Sequence, residues 1–309
     1  MSATTTNDMR PKHDKARLMK LATGASVVVA SVLIGIKGVA WWQTGSVAML
    51  ASLLDSVLDG LAAGINLFFV RRALRPASKQ YRFGHGKAEP IGGMFQAIII
   101  GASALFLVSE CVRRLLEPSL PTNTQLGIAI MVVASLLVGV LVMFQRYVVK
   151  RTGSLIVSGD ALHGIGDVGI NVGVILALLI STRFDAPYVD PVIGILLALA
   201  LARGAWEIGS TAIRQLMDVE FSEEERQQIR DIALEHSEVS DIHDLRTRRA
   251  GLSSFIQFHI EMDGSMSLTR AHEISDQVEL AVREAFPDSE VLIHEDPEGA
   301  ESIPQFLRA

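Results

Sequence analysis

The sequence predicts a multi-pass α-helical membrane protein: six transmembrane helices, then a C-terminal cytoplasmic α/β domain with the element order α-β-β-α-β. Three observations lead there. The 309 residues are 49% hydrophobic with a mean hydropathy of +0.34, and the excess of apolar residues lies in the first two-thirds of the chain. Six apolar stretches reach the roughly 20 residues needed to cross a bilayer. From Thr211 onward the chain carries 22 acidic and nine basic residues and no lysine, a formal charge of −13 against +7 for the part before it.

The spans are expected near Leu21–Trp42, Val47–Val70, Pro90–Val112, Leu126–Val148, Leu155–Ile180 and Tyr188–Ile208. An even count puts both termini on one side, and basic residues choose that side. The N-terminal arm (1–20) holds Arg10, Lys12, Lys15, Arg17 and Lys20, and the first apolar run after it reads as retained rather than cleaved. The second connection holds Arg71, Arg72, Arg75, Lys79, Arg82 and Lys87, and the fourth Arg146, Lys150 and Arg151. Opposite them the first connection has no basic residue, the third only Arg113 and Arg114, and the fifth only Arg183. The positive-inside rule then places both termini in the cytoplasm. Trp41, Trp42, Tyr147, Tyr188 and Trp206 fall near span ends, as interfacial anchors do.

The remaining segment, 209–309, has its own order. Ser222 to Glu225 is a capping-box start for a helix running to about His236. Two strand-like runs, Asp241–Arg249 and Ser253–Met262, are joined by Ala250-Gly251 as a hairpin. Leu268, Ala271, Ile274, Val278, Val282 and Phe286 recur at helical spacing, and after Pro287 the run Val291–His294 suits a final strand. The single cysteine, Cys111, excludes a disulfide framework and a cysteine-based zinc site. The acidic tail reads as a solubilising surface, with local enrichment of cations near the pore mouth as the alternative, and no nucleic-acid partner is expected.

Chemistry-bearing residues stand out against this background. Asp55 and Asp59 lie four apart in the second span, and His163 and Asp167 repeat the spacing in the fifth. Residues i and i+4 share a helix face, and ionisable groups inside a membrane are costly and usually face a pathway. One imidazole and three carboxylates suit a divalent metal ion. In the tail, His243, His259, His272 and His294 fall among the later elements, with Asp296 two residues beyond the last. Alternation puts His259 on the polar face of its strand and His294 on one face with Asp296. Such a cluster suits zinc and neighbouring transition metals. His236 reads as a solvated residue at a helix end. Lys37 and Arg203 read as interfacial anchors, and Asn66 and Asn171 as helix-to-helix hydrogen-bonding groups. Asp160 reads as a cap or interfacial carboxylate at the start of span five, with metal access as the alternative.

The segments GSVAMLASLLDSVLDG, FGHGKAEP, DALHGIGDV, HDLRTR, IQFHIEM, SDQVE and IHEDP together resemble the cation diffusion facilitator family, in particular its bacterial zinc and ferrous-iron efflux branch. The resemblance covers nearly the whole chain. It implies a transport site at Asp55, Asp59, His163 and Asp167, and a binuclear cytoplasmic site at His243, His259, His272, His294 and Asp296. It further implies a metallochaperone-like tail, a homodimer joined through the tails, and a structural salt bridge between Lys87 and Asp218 near the membrane surface. One departure concerns a third site in the loop after span two. Of its ligands only His85 is kept, with Ser78 and Tyr81 at the other positions, so His85 is a weak candidate. The expected activity is efflux of Zn²⁺, also Cd²⁺ and Fe²⁺, in exchange for protons across the bacterial cytoplasmic (inner) membrane, without an organic cofactor. His163, titrating near pH 6.5 when unperturbed, is the group that couples to protons. A metalloprotease is disfavoured because the nearest match to HExxH is His272-Glu273 followed by Asp276. The alternative function is a membrane-anchored metal sensor that does not transport.

Overall fold

A computed structural model of the chain describes residues 9–44, 47–116, 125–184 and 189–299. The expected connections around 45–46, 117–124 and 185–188, including Tyr188, lie outside those residues. The chain divides into two compact units, one spanning Asp14–Ile213 and the other containing Arg214 onward.

The first unit is built of helices, with an irregular connection over 74–87: α1 (Met9–Thr44), α2 (Val47–Ala73), α3 (Ala88–Leu116), α4 (Gln125–Thr152), α5 (Leu155–Phe184) and α6 (Val189–Leu216), of which the start of α1 and the end of α6 group with the second unit. Five of the six contain a described stretch long and apolar enough to cross a membrane, at mean hydropathies of 1.2 to 2.1. The remaining helix, α5, is 30 residues long, and its side chains after Gly173 lie outside the described residues. All six helices run past at least one end of the expected spans, α1 and α6 furthest. The basic arm is helical from Met9, and α6 continues to Leu216. Lysine and arginine are good helix formers, so α1 extends through its basic arm, while α6 runs on through Gly209 to Leu216. Prolines 11, 90 and 191 fall in the first turns of α1, α3 and α6, where the missing N–H costs nothing.

Small residues let these helices approach. A methyl group at Gly159 of α5 would sit 2.4 Å from Cγ of Gln96 in α3, and one at Gly204 of α6 would sit 2.4 Å from Leu162 Cδ2 of α5. Lipid gives no hydrophobic drive between helices, so close packing at such positions carries association. Cys111 plays the same part, its sulfur lying 2.4 Å from where a side chain on Gly194 would begin. Gly159→Leu is expected to lower the thermal midpoint of the detergent-purified protein; an unchanged midpoint would contradict the close approach of α3 and α5. Large apolar side chains such as Leu58, Phe68, Leu105, Leu136 and Leu199 are exposed on the bundle exterior, as a lipid-facing surface requires.

The second unit holds α7 (Glu223–Leu234), β1 (Asp241–Ala250), β2 (Ser253–Met262), α8 (Leu268–Ala285) and β3 (Ser289–Pro297). Ser222 caps α7 through the expected reciprocal box with Glu225. The sheet order is β1-β2-β3, antiparallel then parallel. Gly251, at φ +61°, makes the tight β1–β2 turn. The parallel pair needs a crossover, which α8 supplies. Ile256, Phe258, Ile260 and Met262 of β2 pack with Ile229 and Ala233 of α7 and Ile274, Val278 and Val282 of α8 in one buried core. β1 departs from simple alternation: the register shifts between His243 and Arg246, and Asp244 takes a left-handed φ of +50°. This bulge lets Ile242, Leu245 and Thr247 all point inward. β3 is longer than expected, running from Ser289 to Pro297.

Candidate metal centres

Helices α2 and α5 pack against each other, and the two four-residue pairs meet there. His163 Nε2 lies 3.0 Å from Asp59 Oδ1 and 3.9 Å from Asp167 Oδ2. Donor atoms of these three residues all fall within 4.8 Å of one another, close enough for one cation to draw them together. Their side chains are 19 to 37% exposed, so the set is reachable. Asp55, one turn before Asp59 and exposed, is outside this three-residue group, yet interacts electrostatically with Asp59 and His163.

Two neighbours bond to other helices. Lys37 is tied to the neighbouring helix: its ammonium donates to Ser56 Oγ at 2.6 Å and to the Ser52 carbonyl at 3.1 Å in α2. A lysine within one helix of an anionic set is held inward by that field. Asp160 does not cap its helix. The start of α5 is capped by Ser154, which accepts from Val157 N at 3.4 Å, and by buried Glu89, which accepts from Leu155 N at 3.2 Å. The Asp160 carboxylate instead accepts from Ser26 at 2.5 Å, Gln145 at 2.6 Å and Asn66 at 3.3 Å, on α1, α4 and α2. Asn171 likewise bonds across helices, donating to Ser135 of α4 at 3.0 Å. Sequence reasoning missed Ser26 and Gln145. Their only signal was a polar residue inside an apolar run.

In the C-terminal unit the sheet register builds a second donor set. His243 sits opposite His259, and His259 opposite His294; one step on, Asp241 faces Glu261 and Glu261 faces Asp296. Because i and i+2 share a face, a row of three imidazoles lies beside a row of three carboxylates, turned away from the core. Asp296 gathers the imidazoles: its oxygens lie 2.8 Å from His259 Nδ1, 3.2 Å from His243 Nε2 and 3.3 Å from His294 Nε2. Burial pushes the Asp296 carboxyl up, but the His259 hydrogen bond and the charges of His294, His259 and His243 outweigh it, holding the group below the usual carboxylate range. Both ring nitrogens of His243 are buried, and among the described residues neither makes a hydrogen bond of good geometry, although carboxylate oxygens of Asp296 and Glu261 stand 3.2 and 3.4 Å away. Nitrogen and carboxylate donors in this arrangement fit a zinc-like ion, which bound here would cross-link the three strands.

Other candidates stand apart. His272 lies on α8, 69% exposed and 3.7 Å from Asp276, away from the row of imidazoles. His85 stacks on Tyr81 with ring centroids 4.6 Å apart, and among the described residues no cluster of metal-binding groups includes it. Asp218 lies 3.5 Å from Arg248 within the C-terminal unit, and Lys87 immediately precedes α3.

A helical membrane unit with a histidine–carboxylate set between two helices, joined to an α/β unit with a second such set, defines a metal-handling integral membrane protein. The chain belongs to the cation efflux family: residues 24–217 match the family's transmembrane domain and residues 221–298 its cytoplasmic domain. It is 43% identical over 287 residues to the cation-efflux pump FieF of Shewanella oneidensis, covering 93% of this chain and 97% of that one. To FieF of Escherichia coli it is 41% identical over 281 residues, 91% and 93% of the two chains. Among solved structures, the metal-bound C-terminal domain of the CzcD transporter from Thermotoga maritima is 32% identical across 25% of this chain and 91% of that one, with a TM-score of 0.24. The chain is accordingly a transporter and not a catalyst.

Proposed function

We propose that this protein exports divalent transition-metal ions from the cytoplasm across the bacterial inner membrane in exchange for protons. The observation that carries the reading is the meeting of Asp59 with His163 and Asp167 between α2 and α5. Asp55 completes a four-donor set when its carboxylate turns toward the ion. One nitrogen and three oxygens favour Zn²⁺ and Cd²⁺, with Fe²⁺ also accepted, over Mg²⁺ and Ca²⁺, which take all-oxygen shells of six or more.

Coupling follows from the same donors. Three carboxylates and an imidazole cannot all be ionised and unpaired in a low-dielectric site, so an arriving M²⁺ displaces protons and a departing one is replaced by them. His163 carries the exchanged proton. Alternation of the α2–α5 site between the two membrane faces turns this exchange into antiport. The basic residues of the second and fourth connections support cytoplasmic termini. The C-terminal units join two copies, His272 belongs to the metal-binding surface of that assembly, and the Lys87–Asp218 pair braces it. The His259 centre regulates or stiffens the domain. His85 takes only a weak share in metal handling. The membrane-anchored sensor, the rival reading, leaves the carboxylates of α2 and α5 without a task.

Proteoliposomes at fixed Zn²⁺ and varied pH gradient test the exchange. Flux should rise as the trans side is acidified; flux indifferent to the gradient would sink the coupling.

A further inference from the structure

We propose that Glu261 is the positioning residue of His243, accepting its Nδ1 proton and so presenting Nε2 as a lone pair to the metal centre at His259 and Asp296. The inference rests on reading that cluster as a metal site.

The His243 ring lies between two carboxylates. Its Nε2 is 3.2 Å from Asp296 Oδ2 and its Nδ1 is 3.4 Å from Glu261 Oε1. A neutral imidazole has one N–H and one lone pair, and a metal takes the lone pair. The proton must then sit on Nδ1, where it needs an acceptor because the nitrogen is buried. Glu261 Oε1 stands beside it at 3.4 Å, short of hydrogen-bond geometry, so the ring turns slightly on binding the metal to bring the proton onto that oxygen. The side chains of His243 and Glu261 are only 14% and 15% exposed, so water is a poor substitute.

Glu261 is itself held. Its second oxygen, Oε2, accepts the backbone N–H of Gly299 at 3.3 Å, just past the end of β3. A line of contacts therefore runs from the Gly299 N–H through Glu261 and His243 to Asp296. Metal-bound histidines elsewhere are oriented in this way, and losing the acceptor typically weakens binding about 10- to 100-fold. Asp241, the other carboxylate within 4.8 Å of the His243 and Glu261 donors, is exposed at the sheet edge, which suits it less to the role. These three residues could instead hold a cation of their own, and the test separates the two roles.

Co²⁺ is titrated into the full-length protein in detergent, following the ligand-field absorption component that His259→Ala removes. Glu261→Ala should weaken that component about 10- to 100-fold with the number of bound ions at saturation unchanged. Glu261→Gln, whose amide oxygen still accepts the Nδ1 proton, should restore binding to near wild type. The metal-free thermal midpoint reports folding in both, and Glu261→Gln keeps the question open to test if the alanine variant does not fold. Full affinity in Glu261→Ala would overturn the proposal. So would Glu261→Gln binding as weakly as alanine with one ion fewer at saturation, since that marks Glu261 as a ligand. A wild-type protein with no His259-dependent component would instead overturn the metal-centre reading beneath it.

Discussion

Asp59→Ala abolishes metal flux in proteoliposomes while metal binding by the C-terminal unit persists. The expectation follows from the 3.0 Å contact between Asp59 and His163, the shortest link between the donors of α2 and those of α5. Removing the carboxylate takes away a ligand and one of the negative charges that compensate M²⁺ where solvation is poor. Loss of a ligand should exceed the 10- to 100-fold penalty typical of an outer partner, so flux at micromolar metal falls by about two orders of magnitude or more. Asp59→Asn separates charge from shape. It keeps an oxygen near His163 yet should transport little better than alanine if charge balance decides. A radiotracer or fluorescent-zinc flux assay at several concentrations reads the outcome; wild-type flux in Asp59→Ala would remove Asp59 from the pathway, and wild-type flux in Asp59→Asn would show that its oxygen rather than its charge is used.

Phe258→Ala has the largest expected effect on stability. Phe258 is 1% exposed and central to the core shared by β2, α7 and α8. Truncating a buried phenylalanine costs about 3–5 kcal/mol, a large part of the roughly 5–15 kcal/mol that holds a typical domain. A calorimetric scan should show the transition of the C-terminal unit shifted down sharply or lost. Its chain neighbour His259 points to the opposite face, so His259→Ala should leave that transition in place without metal and remove the gain that Zn²⁺ gives the wild type. Equal melting of the Phe258→Ala and wild-type proteins would contradict the core assignment.

The contrast between these adjacent residues shows what the sequence makes legible. Period-2 alternation alone assigns Phe258 inward and His259 outward, and helical spacing alone pairs Asp55 with Asp59 and His163 with Asp167. Both are local patterns, fixed by side-chain direction along one element. What brings elements together is not local. The row His243, His259, His294 depends on an antiparallel register set by the Gly251 turn and the bulge at Asp244, and on a parallel register set by the α8 crossover. None of these registers can be read from the strands' own composition: alternation puts Glu261 on one face with His259, but only the register brings Asp241 and Asp296 beside Glu261 and His243 and His294 beside His259. In the membrane unit the same limit applies to Asp160: its partners Ser26, Asn66 and Gln145 come from three other helices, and only packing decides which faces meet. The same holds for Lys37, whose partners Ser52 and Ser56 lie on α2 and are supplied by packing rather than by its own helix.

The central claim is that the α2–α5 donor set binds the ion that is moved. It is tested most directly by measuring Zn²⁺ flux and bound zinc together, in wild type and in His163→Ala, with the C-terminal histidines intact. The predicted result is loss of flux together with loss of one bound ion, the His259-dependent binding being retained. Undiminished flux in His163→Ala would contradict the account.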